Sequence, residues 1–468
     1  MSSSSPHIVI IGGGPGGYVA AIRAAQLGAQ VTVVEEQALG GVCLNAGCIP
    51  SKTLLGFIDL GERVRHAQPY GLKIDGAVSY DLPRMIARKN DVVAGLVKGI
   101  GLLFKHWKIA HVSGRGALVD DRTVRVLGAD GTESALTADA IVLATGSSWP
   151  NLPQFPVDGL RVITSREALD LTEVPSRVLI VGAGVEGCEF ACLFSGLGAQ
   201  VSMVELMSRV LPLEDEDIGA VLARELKKRK VQLYLGTSIQ DWSATETGVK
   251  ATLVSGEAVE ADILLVSVGR RMNSSGLGLE SVGVELGERG EILVNTRMET
   301  NVPGVYAIGD VTGKSMLAHV ASAQGKVAVA NVMGAKQVMN YDVIPAGIFT
   351  LPEIGRVGLT QQQAKERELP VTVGTFRYSG LGKAQAVGEA TGQFKVIAHA
   401  DTNMILGVHI IGAHAADLIH EAALAMYGGL HVSELAEMIH AHPTISEGLM
   451  EAAEDLEGMA IHQVRKRG

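Results

Sequence analysis

The sequence predicts an α/β fold built on two copies of one strand–turn–helix–strand unit, followed by an α+β segment at the C-terminal end. Three observations predict it. Residues 8–35 (IVIIGGGPGGYVAAIRAAQLGAQVTVVE) recur as residues 178–205 (VLIVGAGVEGCEFACLFSGLGAQVSMVE) at a constant offset of 170. Glycine is abundant, 57 of 468 residues, while aromatics are only 4%, which fits strands packed with Val, Ile and Ala and joined by tight turns. Apolar strands running into a glycine recur after each copy, at 138–147 and 260–270.

Each copy justifies its elements in order. Residues 7–11 and 177–181 are short apolar runs suited to buried parallel strands. A GxGxxG turn follows at once, at Gly12, Gly14 and Gly17 and again at Gly182, Gly184 and Gly187. The first glycine permits the tight turn, the second lets a pyrophosphate approach the backbone, and the third lets helix and strand pack closely. The helix that follows offers N–H groups and a positive dipole end to phosphates, and ends near Gly28 or Gly198. A second strand ends in an acid, Glu35 or Glu205, which can accept hydrogen bonds from a ribose diol. Two Rossmann-like dinucleotide-binding domains are therefore expected. A carboxylate repels a 2′-phosphate, so NAD is favoured over NADP at a nicotinamide site, with Arg209 nearby as the opposing feature.

The remaining elements follow. Residues 138–147 and 260–270 read as return strands, and residues 300–310 (TNVPGVYAIGD) as a third, ending in Asp310. Residues 121–137 and 246–262 alternate like antiparallel ribbons. The Pro-rich stretch WPNLPQFP and the Ile344-Pro345 pair mark boundaries. The expected segments are 1–149, the first nucleotide domain; 150–271, the second; 272–345, a return to the first; and 346–468, an α+β interface domain.

Composition excludes other classes. Apolar residues are 47% and the net charge is −10, from 40 basic and 50 acidic residues, which weighs against disorder and against nucleic acid as the main partner. The uncharged run ending before Arg23 is broken by glycine and falls short of the roughly 18 residues of a membrane span, and the serine-rich start lacks signal-peptide features. Four cysteines exclude a secreted disulfide scaffold and suggest a cytoplasmic protein. Cys188 and Cys192, at helical spacing, read as core.

Cys43 and Cys48 lie in GGVCLNAGCIPSK, residues 40–52. Five residues along an undistorted helix separate Cα atoms by ~8 Å, whereas a disulfide needs less than ~7 Å. A bond between them therefore requires a break, which Asn45-Ala46-Gly47 can supply, with Pro50 in the first turn of the next helix. Cys48 would then sit at a helix N-terminus, where a thiolate is stabilised. Two buried cysteines and a metal site are the competing readings; no second Cys pair or His cluster completes four ligands, so no metal is expected. Near the other end, HAHPTISE at 440–447 pairs His442 with Glu447 as an acid–base candidate, against a solvated loop in which Thr444 or Ser446 caps the last helix.

With these residues in view, the chain resembles the pyridine nucleotide–disulfide oxidoreductases over essentially its whole length. The most specific segments are residues 40–52, TNVPGVYAIGD, MLAHVASAQG at 316–325, ILGVHIIGAHAADLIHEAALAM at 405–426 and HAHPTISEG at 440–448. The CLN form of the redox motif, HIIGAHAADLI and HAHPTISE favour the branch that oxidises dihydrolipoamide. The resemblance implies FAD at the first copy and NAD at the second. It implies that Cys43 exchanges with substrate, that Cys48 lies nearest the flavin, that Lys52 lies beside the flavin and pairs with Glu189, and that Asp310 and the backbone at Ala318 hold FAD. Gly116 and Gly269 are further cofactor-binding candidates. His442, with Glu447 as its partner, would be the base, contributed from the second subunit of a homodimer. The substrate would be a lipoyl group carried by an acyltransferase or by a glycine-cleavage carrier protein, and the pair would cycle through a Cys43–Cys48 disulfide. The alternatives are a sister reductase for mercuric ion or glutathione, or a non-catalytic flavoprotein with a binding or sensing role. Val42, Glu186, Met272 and Gln324 depart from residues usual in the family; Glu186 stands where an apolar residue or Tyr is usual.

Overall fold

The structure is a computed structural model that describes residues 5–464. Most of the serine-rich start, residues 1–4, lies outside the described residues. By contact the chain forms two compact units. One comprises Met1–Thr53, Pro83–Pro153 and Gly269–Asn340; the other comprises Leu54–Leu82, Gln154–Val268 and Tyr341–Gly468.

The first unit centres on a five-stranded parallel sheet in the order Val305–Ala307, Ala140–Leu143, His7–Ile11, Gln30–Glu35, Ala110–Ser113. All four strands expected from the sequence here are present, with residues 300–310 supplying an edge strand at Val305–Ala307. The interior is Val9, Ile11, Val34, Ile141 and Leu143. Burying each such side chain contributes roughly 1.5–3 kcal/mol. The helices Pro15–Gln26 and Ala318–Val332 pack together through small residues: a Cβ added to Gly325 would lie 2.8 Å from the Gly16 carbonyl oxygen. The ribbon read at 121–137 is a three-stranded antiparallel sheet of Arg115–Leu118, Thr123–Leu127 and Glu133–Thr137.

The second unit repeats this plan. Its parallel sheet runs Gln232–Leu235, Gln200–Glu205, Arg177–Val181, Ile263–Val266, Val162–Ile163, with an antiparallel ribbon of Ile239–Ala244, Val249–Leu253 and Ala258–Ala261. The register confirms the internal repeat: His7 pairs with Gln30 and Arg177 with Gln200. The same unit holds a five-stranded antiparallel sheet, Ala346–Ile348, Ile354–Gly358, Ile405–Ile411, Gln393–His399, Val371–Arg377, with the helices Ala415–Gly428 and Glu447–Leu456 packed on it. Tyr378 and Phe394 stack in its core with ring centroids 4.8 Å apart.

Long-range pairs explain why this unit gathers segments that sequence motifs treat separately. Lys395, 1% exposed, places Nζ 2.8 Å from Asp215, which caps the helix Glu216–Lys228, and 2.6 Å from Asp217. Removing one partner of such a buried pair typically costs about 3–5 kcal/mol. Residues 54–82 join through Gly196, where an added Cβ would lie 2.2 Å from Ile58, and through Glu62, whose carboxylate pairs bidentately with Arg229. The segment Gly41–Arg65 is long and apolar enough by composition to cross a membrane; it is broken at Gly47 into two helices and carries Lys52, Asp59, Glu62 and Arg63.

Candidate active site

The two glycine turns match almost atom for atom. Gly12 has φ +107° and Gly182 φ +103°, and an added Cβ would lie 2.2 Å from the Ala144 oxygen or 2.1 Å from the Ser267 oxygen. At Gly17 and Gly187 the added Cβ would lie 1.9 and 2.1 Å from the Gly12 and Gly182 oxygens. Only glycine fits these four positions. Gly14 and Gly184 differ from them in kind: the nearest atom is 3.8 Å away at Gly14, and nothing lies within 4 Å at Gly184. The outer glycines are required by the protein itself, whereas the middle ones leave room for a pyrophosphate against bare backbone.

The strand-end acids are equally alike. Glu35 accepts the N–H groups of Gly13 and Gln37 at 2.6 and 2.7 Å, and Glu205 those of Ala183 and Met207 at 2.7 and 2.8 Å. Each carboxylate is thus fixed beside its turn with lone pairs remaining for a ribose diol. Arg209 donates instead to the carbonyls of Glu214 and Pro212, at 3.0 and 2.8 Å, so its guanidinium is drawn into the following loop.

The cysteine segment packs on the first turn. Gly40 and Gly41 have φ +96° and +59°, and a Cβ on Gly41 would lie 2.7 Å from the Gly14 Cα. The helix Gly41–Ala46 carries Cys43 and stops at Gly47, and the helix Cys48–Arg65 begins with Cys48, as the spacing argument expects. Gly47 is tight: an added Cβ would lie 3.0 Å from the Val42 oxygen. Asn45 ties the turn by donating to the Leu39 and Gly41 carbonyls at 3.1 and 2.9 Å. Cys43 and Cys48 lie side by side, hydrogen-bonded to one another and unbridged, in keeping with a pair that would cycle between thiols and a disulfide. That hydrogen bond, reinforced by burial, pushes the Cys43 thiol far above its ordinary pKa, against the opposing charge of Lys52. Cys188 and Cys192 are fully buried in the helix Val185–Leu197, and burial pushes Cys192 up to about 11.

Other predicted residues are placed as follows. Asp310 accepts the Ser147 hydroxyl at 2.5 Å, and Arg270 donates to the Ser147 hydroxyl and carbonyl at 3.1 and 2.7 Å while stacking on Trp149. Ala318 opens the helix Ala318–Val332. Gly116 packs against Ile11, and Gly269, with φ +103°, has open space around it. Glu189 is buried and accepts the Phe349 N–H at 2.9 Å. Gln324, where the family frequently has Glu, is fully buried and accepts the Gly309 N–H at 2.6 Å, a task a neutral amide performs without burying a charge.

His442 and Glu447 are brought together. His442 Nδ1 lies 2.8 Å from one Glu447 oxygen, and the other accepts the Thr444 N–H at 2.8 Å. Burial would raise the Glu447 carboxyl, but the Thr444 N–H and the two neighbouring histidines outweigh it and hold it below its ordinary pKa. The His442 ring is 76% exposed, with Nε2 the nitrogen left to address a proton donor. The capping reading for Thr444 or Ser446 fails: Ser446 stands at the cap, but its hydroxyl bonds that of Thr444 at 3.0 Å rather than a helix N–H, and Glu447 turns back to take the Thr444 N–H.

The comparisons with known proteins follow this geometry. Residues 6–325 match the family described as pyridine nucleotide-disulphide oxidoreductase, and residues 344–453 match its dimerisation domain. The chain belongs to the pyridine nucleotide-disulphide oxidoreductase family. It is 43% identical over 448 residues to the dihydrolipoyl dehydrogenase of Chlamydia muridarum, covering 95% of each chain. It is 41% identical to the mitochondrial dihydrolipoyl dehydrogenase 1 of Arabidopsis thaliana, covering 98% of this chain and 92% of that one. Among solved structures it is similar to LpdA of Mycobacterium tuberculosis, with TM-score 0.91 and 32% identity over 96% of this chain and 99% of that one. It is also similar to the HOCl-induced flavoprotein disulfide reductase RclA of Escherichia coli, with TM-score 0.85 and 28% identity over 96% of this chain and 99% of that one.

Within this family fold, some residues of the site escape a reading of motifs. Ser147 and Arg270 end the two return-strand segments read at 138–147 and 260–270, but their bond to one another across 123 residues, with Ser147 donating on to Asp310, is marked by no motif. His440 is the nearer miss. Its Nε2 lies 2.7 Å from Glu421, which lifts the ring above its ordinary pKa against burial, and its Nδ1 faces the Met438 carbonyl at 2.9 Å. The HxH spacing was its signal, and it makes a second His–Glu pair that anchors the loop bearing His442. Among the described residues no group of three or more His, Cys, Asp or Glu side chains is placed to hold a metal.

Proposed function

We propose that this chain is a dihydrolipoamide dehydrogenase: it oxidises a protein-borne dihydrolipoyl group and reduces NAD, using the Cys43–Cys48 pair. The observation that carries the reading is the pair itself, two hydrogen-bonded thiols at a broken helix seated directly on the first glycine turn. The open middle glycines and the fixed Glu35 and Glu205 carboxylates fit two dinucleotides, FAD at the first copy and NAD at the second. Two features favour NAD over NADP: Glu205 repels a 2′-phosphate, and Arg209 is engaged with backbone carbonyls. Relatives named dihydrolipoyl dehydrogenase at 43% and 41% identity support the substrate class.

The chain's own residues divide the chemistry. Bound flavin supplies the hydride relay between a dithiol and a nicotinamide that Cys and His side chains lack. His442, oriented through Nδ1 by Glu447, takes a proton from a substrate thiol at Nε2. The resulting thiolate attacks Cys43 of the oxidised pair, forming a mixed disulfide and releasing Cys48 as thiolate. The second substrate thiol displaces Cys43, which takes up its proton; substrate leaves as the cyclic disulfide, and Cys43 remains as thiol, Cys48 as thiolate and His442 in its protonated form. Burial and the bond to Cys48 favour the protonated form of Cys43; in this reading Cys48, at the start of the helix Cys48–Arg65, carries the thiolate of the reduced pair.

A homodimer completes the account. Leu424, Tyr427 and Ile439 are large apolar residues left exposed within the dimerisation-domain match, and Ile439 is 95% exposed. In this reading a second copy covers them and receives His442 at its own thiol pair, while the lipoyl group arrives on an acyltransferase or glycine-cleavage carrier. Purified enzyme should reduce NAD with dihydrolipoamide, and Cys43→Ser and Cys48→Ser should each abolish this while flavin stays bound. Retained turnover in either variant would remove the pair from the chemistry.

A further inference from the structure

One position gives the second turn a charge that the first lacks. Gly16 of the first copy corresponds to Glu186 of the second. Gly16 is hemmed in: an added Cβ would lie 3.3 Å from the Ala321 oxygen and from Ile308. Glu186 instead lies half-buried in the first turn of the helix Val185–Leu197, and its Oε2 accepts the Ser267 hydroxyl at 3.2 Å. Ser267 directly follows the strand Ile263–Val266, and its N–H donates to the Val181 carbonyl at 2.9 Å.

The strand order decides which half of a dinucleotide these residues face. Glu205, the ribose acceptor, ends the strand on one side of Arg177–Val181, and Ile263–Val266 is the neighbour on the other side. A dinucleotide held by its pyrophosphate over Gly184 straddles this switch point. With its adenosine at Glu205, its other half lies toward Ser267 and Glu186, and in NAD that half is the nicotinamide. The ring is cationic in NAD⁺ and neutral in NADH, because the hydride it accepts cancels its charge.

We propose that Glu186 selects the oxidation state of the nucleotide: its carboxylate, oriented by Ser267, favours NAD⁺ over NADH and so weakens inhibition by the product. The inference rests on the reading of the second copy as a nicotinamide nucleotide site. A neutral residue at this position contributes no such bias. For a carboxylate some angstroms from a cationic ring in a partly solvated cleft, Coulomb's law gives an effect of about 3–10-fold in relative affinity.

The test is equilibrium titration of the flavin-loaded enzyme with NAD⁺ and, separately, with NADH at neutral pH and low salt, for wild type, Glu186→Gln and Glu186→Ile. Gln keeps the length and the acceptor for Ser267 but removes the charge; Ile removes both. The ratio Kd(NADH)/Kd(NAD⁺) should fall about 3–10-fold in both variants, with NADH inhibiting turnover more strongly by a similar factor. An unchanged ratio in Glu186→Gln, with both nucleotides still binding, overturns this inference alone. Failure of wild type to bind either nucleotide overturns it together with the functional reading on which it rests.

Discussion

The two nucleotide-binding copies share a cradle and differ in what closes over it. In both, a returning loop caps the second carbonyl of the turn: Gly40 N–H donates to Gly13 and Leu211 N–H to Ala183, each at 2.8 Å. In the first copy the chain itself then packs against the turn, with Gly41 beside Gly14 and Ala321 and Gly325 beside Gly16. In the second, Gly184 has open space and Glu186 stands where the first copy has a packed glycine. A turn hemmed in by its own chain suits a group that stays, whereas an open one suits a nucleotide that comes and goes. The redox pair is attached to the closed copy alone.

The largest effect that bears on this contrast lies at the loop that would serve the closed copy. His442→Ala should slow dihydrolipoamide oxidation by ~10²–10⁴ without changing NADH affinity. Stopped-flow reduction by dihydrolipoamide measures the first and an NADH titration the second; a loss in the titration alone would reassign His442 to the open copy.

Smaller changes follow from the glycines. A Cβ at Gly17 or Gly187 meets a backbone oxygen, and overpacking of this kind costs about 1–3 kcal/mol. Gly187→Ala should therefore bind NADH ~10-fold or more weakly while retaining its flavin absorbance. Gly17→Ala should lose flavin on dialysis and, once reloaded, bind NADH as wild type does. If each substitution impaired both ligands equally, the copies would not be separate sites.

The smallest effect concerns the anchor of the His442 loop. Glu421 raises the His440 pKa, so the pair stabilises the fold fully at pH below the ordinary histidine value of 6.5, and that contribution is lost as pH rises through the raised folded-state value. Glu421→Gln should lower the pH at which the His440 ring titrates, as followed by NMR. It should also flatten the decline of Tm across that window. A ring that titrates alike in both proteins would dissolve the pair.

What was legible in the sequence was local. The glycine turns, the strand-end acids, both ribbons and the break at Gly47 depend on neighbours within a few residues, so spacing and residue type suffice. The His442–Glu447 pair was legible for the same reason, five residues apart. Interactions assembled from distant strands were not. Asp310 meets Ser147 across 163 residues, and Lys395 meets Asp215 across 180. No period or motif marks such pairings: Asp310 stands out by the segment it ends, but nothing in the sequence names Ser147 as its partner. The same limit explains the segment 54–82, whose place in the second unit follows from Glu62–Arg229 and from Ile58 against Gly196.

The central claim is that Cys43 and Cys48 carry electrons from a dihydrolipoyl group toward the nucleotide copies. Anaerobic titration of the flavin-loaded enzyme with dihydrolipoamide, followed by its absorbance spectrum, tests it most directly. A new long-wavelength band should rise with the added dithiol, vanish when NAD⁺ is supplied, and be absent from Cys48→Ser. A spectrum that dihydrolipoamide leaves unchanged, or a band that survives the loss of Cys48, would contradict the account.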